Sequence, residues 1–90
     1  MAERRLRVTE LFGDRGSAAA MEVLTLVELA WHDVYGEVTP PEEVVNDILV
    51  WSEGDLARLA HAGLEAVMDW RDLRLAANDL RNRAPGAPGA

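Results

Sequence analysis

Ninety residues with sixteen acidic and nine basic side chains, a net charge of −7 and no cysteine describe one small acidic domain. That balance disfavours wrapping nucleic acid or lying on an anionic membrane, and without a thiol there is no disulfide or cysteine chemistry. All nine basic residues are arginine, a usage that translation of a GC-rich genome explains without any functional argument.

Surface scaling for this mass gives roughly 5,200 Å² folded against about 14,000 Å² unfolded, enough burial for one modest core. No stretch reaches the roughly 18 apolar residues of a spanning helix. The opening MAERRLRVTE has no apolar run behind its arginines, so it does not read as a secretory signal, and a cytoplasmic location is the expectation.

Residues 1–16 read as an arginine-bearing arm. Leu6 and Val8 alternate with Arg5, Arg7 and Thr9, which permits a short extended piece, while Leu11 and Phe12 could equally begin a turn of helix. Gly13, Asp14, Arg15 and Gly16 then interrupt whatever forms. Arg4, Arg5 and Arg7 could touch phosphates, but on an acidic chain they read first as a solubilising tail, so nucleic-acid binding is not expected.

Ser17 is a good N-cap, and the spacing predicts a first long helix from there to Tyr35, stopped by Gly36. Glu22, Thr25, Glu28, His32 and Asp33 share one side of it. Apolar side chains from Val23 to Val34 cover more than half of its circumference, as in a helix central to a bundle or shared with another chain. A second helix over about 40–51 carries the clearest start signal: Thr39 as N-cap, Pro40 at the first helical position and Glu42 completing a capping box. Ser52 with Asp55 is a second capping box, opening a third helix over about 53–82 that Asp69 and Asp72 could interrupt before Trp70. The tail 84–90, APGAPGA, has nothing to bury and is expected to be disordered.

These elements predict an all-α bundle of three main helices in a single domain over 17–83, between the arm and the tail. Trp31, Trp51, Trp70, Leu24, Val27, Ile48, Leu59 and Leu73 are the expected core. The three tryptophans, about twenty residues apart, are expected to form one aromatic cluster with each indole N–H on a carbonyl or carboxylate.

Chemistry is harder to find. Glu28 with His32 and His61 with Glu65 are two pairs spaced by four. If the first and third helices packed antiparallel with those faces opposed, the four side chains could converge on a divalent ion. The spacing is not the Glu-x-x-His of ferritin-like sites, so no cofactor is expected and metal or small-ligand binding is the alternative reading. Ser17 and Ser52 read as caps, and there is no Gly-x-Ser-x-Gly elbow, so no catalytic residue is assigned. Gly13 and Gly16 lack the lysine and the strand of a phosphate loop.

VELAWHDVYGEVTPPEEV followed by SEGDLARLAHA, together Val27 to Ala62, resembles the middle of an acyl carrier protein: a Val-Glu-Leu helix, an aromatic-Gly turn, a Pro-Glu helix start and a final Gly-Asp-Leu helix. The Asp-Ser-Leu motif that accepts the phosphopantetheine arm in that family is missing. Met21 stands at the matching distance before Tyr35, and the nearest serine is Ser17. The long first helix of a carrier has no room in 1–16, so the resemblance implies a similar helical layout and transfers no function.

The most distinctive feature is a charge asymmetry. Between Arg15 and Arg58 there is no cation, while nine carboxylates fall in that interval. Their mutual repulsion costs folding free energy unless something relieves it. The expectation is a non-catalytic interaction protein that forms a homodimer and presents Glu37, Glu42, Glu43, Asp47 and Glu53 to a basic protein partner. Arg58, Arg71, Arg74, Arg81 and Arg83 could then lie across the acidic face of the neighbouring subunit.

Overall fold

The computed structural model describes the backbone of residues 2–83 and the side chains from Arg4 onward. The expected tail, 84–90, lies outside the described residues. Three helices make up the fold: α1 (Ala2–Tyr35), α2 (Glu42–Ser52) and α3 (Leu56–Asn82), with no strand among the described residues.

The arm is helical, and α1 therefore begins well before Ser17. Its inward residues Arg4, Val8 and Phe12 recur every four positions, so the Leu6/Val8 alternation was the misleading period. Val8 is fully buried. The interruption comes at Gly13, whose φ of 74° and ψ of 174° lie in a region essentially reserved for glycine. Ser17 caps nothing; its hydroxyl donates to the Asp14 carbonyl (3.3 Å) inside the resumed helix.

Helix α2 starts two residues later than its capping signal suggests. Pro41 follows Pro40, and a residue before proline is pushed out of the α region, so Pro40 cannot open the helix. Pro41 becomes the N-cap residue, its carbonyl accepting from the N–H groups of Val44 (2.9 Å) and Val45 (3.2 Å), with no side-chain cap. At the other end Ser52 is a buried member of α2, donating to the Leu49 carbonyl (2.7 Å). Glu53 and Gly54 then turn the chain with positive φ, and Asp55 alone caps α3 by accepting from the Arg58 N–H (3.0 Å). Inside α3, Asp69 leaves helical geometry and accepts from the Arg71 N–H (3.1 Å), the break its position allowed.

Helix α3 is the element on which both others pack. Trp51 of α2 lies beside Arg58 and His61, whereas Glu43 and Asp47, earlier in α2, meet Arg74. The two helices therefore run antiparallel. Helix α1 runs in the same sense as α3: Val27 approaches Gly63, and the Tyr35 hydroxyl donates to the Val67 carbonyl (2.9 Å). Thus α1 is not the central helix that its apolar circumference suggested.

Of the expected core, Trp31, Leu24, Val27, Ile48, Leu59 and Leu73 are buried, and Trp51 and Trp70 are half-buried against it. The tryptophans do not form one cluster. Trp31 packs on Tyr35 (centroids 4.3 Å apart), while Trp51 is stacked on His61 (5.3 Å) with the Arg58 guanidinium over its ring (3.9 Å). The Trp31 indole does find a carboxylate, donating to Glu37 at 2.9 Å.

The α1–α3 crossing depends on Gly63. A Cβ there would stand 2.4 Å from Cγ2 of Val27, whose branched side chain has little freedom to move. Gly63→Ala should therefore lower unfolding stability by about 1–3 kcal/mol despite its better helix propensity. Urea unfolding should show part of that loss recovered when Val27→Ala is added to it, whereas strictly additive losses would place the strain elsewhere.

Candidate functional site

Five of the nine acids in the cation-free interval are paired with arginines that fold back onto it from either side. Arg4 reaches Glu28 (3.4 Å) and Glu42 (3.0 Å), and Arg58 reaches Glu53 (3.2 Å). Arg74 bridges Glu43 (3.3 Å) and Asp47 (2.9 Å), and Arg81 takes the other oxygen of Asp47 at 2.9 Å. The Asp47 side chain is only 3% exposed, set between the buried pairs Val44, Val45 and Ile48, Leu49. A carboxylate so placed needs partners, and the antiparallel course of α3 brings two arginines seven residues apart to it. Its hydrogen bond to Asp47, and then the charges of Asp47 and Glu43, hold the Arg74 guanidinium above its ordinary, already high pKa. A raised basic pKa stabilises at every pH below the unfolded value, so this contribution is constant through neutral pH.

This arrangement changes the reading of the basic residues. Arg58, Arg74 and Arg81, expected on a neighbouring subunit, serve their own chain. Arg83 pairs with Asp79, and Arg71 sits over Trp70 (5.5 Å). The arm arginines Arg4 and Arg7 face inward onto Glu28, Glu42 and Asn46.

Of the five acids expected to meet a partner, Glu42, Glu43, Asp47 and Glu53 are therefore engaged internally. Glu37 differs: it is exposed, it accepts from the Trp31 indole, and it makes no ion pair among the described residues.

The four side chains of the metal alternative do not meet. Glu28 is held by Arg4, the His32 Nδ1 lies 3.1 Å from the Glu37 carbonyl, and His61 is stacked on Trp51. His61 thus faces α2 rather than α1. Among the described residues no three His, Asp or Glu side chains are grouped to hold a metal ion, Glu65 included.

Two concave surfaces were not anticipated. An apolar groove of about 270 Å³ runs between α1 and α3, lined by Val23, Leu26, Ala30, Ala60, Leu64 and Val67 among others. A second pocket, of about 240 Å³, lies where the end of α1, the start of α2 and the middle of α3 meet; Trp31, Tyr35 and Trp70 form its aromatic walls, with Glu37, Glu43 and Arg74 around them. The groove had a sequence signal in the over-wide apolar surface of α1. The pocket had none, because it depends on the Asp69 break and the Pro40-Pro41 entry, which set where Trp70 and Glu43 fall.

No protein-family model, curated protein or solved structure matches the chain. The resemblance of Val27 to Ala62 to acyl carrier proteins is thus left to its sequence alone. Among the described residues no helix is long and apolar enough to cross a membrane.

The arm is secured by few groups, and the buried Arg4 Nε lacks a hydrogen-bond partner. Arg4→Ala, which removes both carboxylate contacts, should raise amide hydrogen exchange over residues 5–12 about tenfold while α2 and α3 keep their protection. A uniform loss of protection would show that the arm is integral to the global unfolding unit.

Proposed function

We propose that this chain is a non-catalytic interaction protein that pairs with a second copy of itself and offers a residual acidic surface to a basic protein. The observation that carries the reading is the apolar face along the α1–α3 groove. Leu26 is 64% exposed and Leu64 58% exposed at its rim, with Val34 and Met68 further along the same helices at 58% and 73%. Scattered exposed leucines are ordinary, but several large apolar side chains around one groove mark an association surface. A two-fold arrangement would lay the same face of each copy against the other, extending the pair of helices into a four-helix layer.

Asp33, Glu37 and Glu65 have no ion-pair partner among the described residues, and their charge supports the second half of the reading. Charge of this kind sets association rate and partner choice, with affinity coming from apolar anchors.

Leu26→Glu and Leu64→Glu alter positions exposed in the single chain and should leave its helical content unchanged, while melting falls only by the share that the dimer contributes. Each should weaken the dimer by about tenfold or more, since burying one leucine contributes about 1.5–3 kcal/mol and each change counts in both copies. Sedimentation equilibrium measures this directly; a wild-type chain that stays monomeric at tens-of-micromolar concentration contradicts the proposal.

A further inference from the structure

The aromatic pocket shares no lining residue with the α1–α3 groove, so the dimer does not use it. Its acid Glu37 belongs to the acidic surface of the proposed function, and a lysine ligand at the pocket rests on that reading. We propose that it is a recognition site for an alkylammonium group, supplied by a lysine side chain of a basic protein or by a free quaternary amine.

The walls carry the argument. Trp31 is buried and Trp70 half-buried; Tyr35 packs on Trp31 and is tied by its hydroxyl to the Val67 carbonyl, so the three rings are held by the fold itself. Three aromatic side chains lining one small space make an environment that compact cations favour, because a cation is drawn to the face of an aromatic ring. Trp70 already attracts cations of its own chain, with the Arg71 and Arg74 guanidiniums 5.5 and 5.6 Å from its ring centre.

At the rim stands Glu37. The Trp31 indole N–H fixes one of its oxygens, and no arginine competes for its charge. A carboxylate beside aromatic walls selects a cation over a neutral ligand of the same shape. Arg74 is the cation among the described lining residues, and it is already bound to Asp47 and Glu43, so its charge is offset where it stands. The volume of about 240 Å³ lies below that of pockets for drug-sized ligands and suits a small head group.

The test follows the indole N–H proton resonances of the full chain at constant ionic strength. The probes are choline, Nα-acetyl-lysinamide and the uncharged tert-butyl isostere of choline. The Trp31 and Trp70 signals should shift saturably with at least one of the two amines, and the Trp51 signal should not. Tighter binding of choline assigns the site to a free quaternary amine, and tighter binding of the lysinamide assigns it to a lysine side chain. Glu37→Gln keeps an acceptor for the Trp31 indole while removing the charge, and should weaken binding about three- to fivefold. Trp70→Leu should weaken it about tenfold or more. An equal response to the uncharged isostere, or no saturable shift with either amine in the millimolar range, overturns the proposal. Because the dimer is read from sedimentation and the pocket from these resonances, failure of one leaves the other standing.

Discussion

The carboxylate of Asp47, nearly sealed from solvent inside the apolar run of α2 and gripped by Arg74 and Arg81, sets the geometry of the rest. A buried acid is costly unless its partners arrive from a fixed direction, and here they arrive from a helix that must run antiparallel to α2. Once α3 is so placed, Leu59, Ala62, Ala66 and Leu73 fall onto the core shared with α1 and α2. Arg58 comes to rest on Glu53 near the turn, and Arg4 bridges the arm to both Glu28 and Glu42. Arg4 with Glu28 and Glu42, Arg74 with Glu43 and Asp47, and Arg81 with Asp47 are thus opposite charges far apart in sequence that the native topology brings together.

Much of the architecture was legible beforehand. The all-α class and the extents of α2 and α3 follow from apolar periodicity and turn residues. Six of the expected core side chains are buried for the same reason. What failed did so for local causes. Residues 4–12 read as an arm because the two-residue alternation of Leu6 and Val8 mimicked a strand, and the four-residue spacing of Arg4, Val8 and Phe12 includes an arginine that a polarity pattern places outside. Thr39 read as a cap because its capping box was intact, but the double proline moved the start. Asp47 read as solvent-facing because a helical wheel has no knowledge of α3. The sequence holds a hint even so, since VVNDILVW sets its two polar residues within an otherwise unbroken apolar run.

The internal pairing also bears on function. Glu42, Glu43 and Glu53 pair with arginines yet stay exposed, whereas Asp47 is buried and is withdrawn from the surface. Glu37 is left as the acid placed beside aromatic walls without an arginine of its own. The metal alternative, built on Glu28, His32, His61 and Glu65, needed α1 and α3 to turn their histidines toward each other, whereas His61 stacks on Trp51 of α2 and Glu28 pairs with Arg4.

The most direct test of the Asp47 clamp is a mutant cycle in urea unfolding. Asp47→Asn keeps the shape and removes the charge, and should cost about 1–3 kcal/mol, the half-exposed arginines being free to return to water. Arg81→Gln alone should cost less, and in the Asp47→Asn background it should cost nothing further. Wild-type stability for Asp47→Asn, or full additivity of the two losses, would contradict the account.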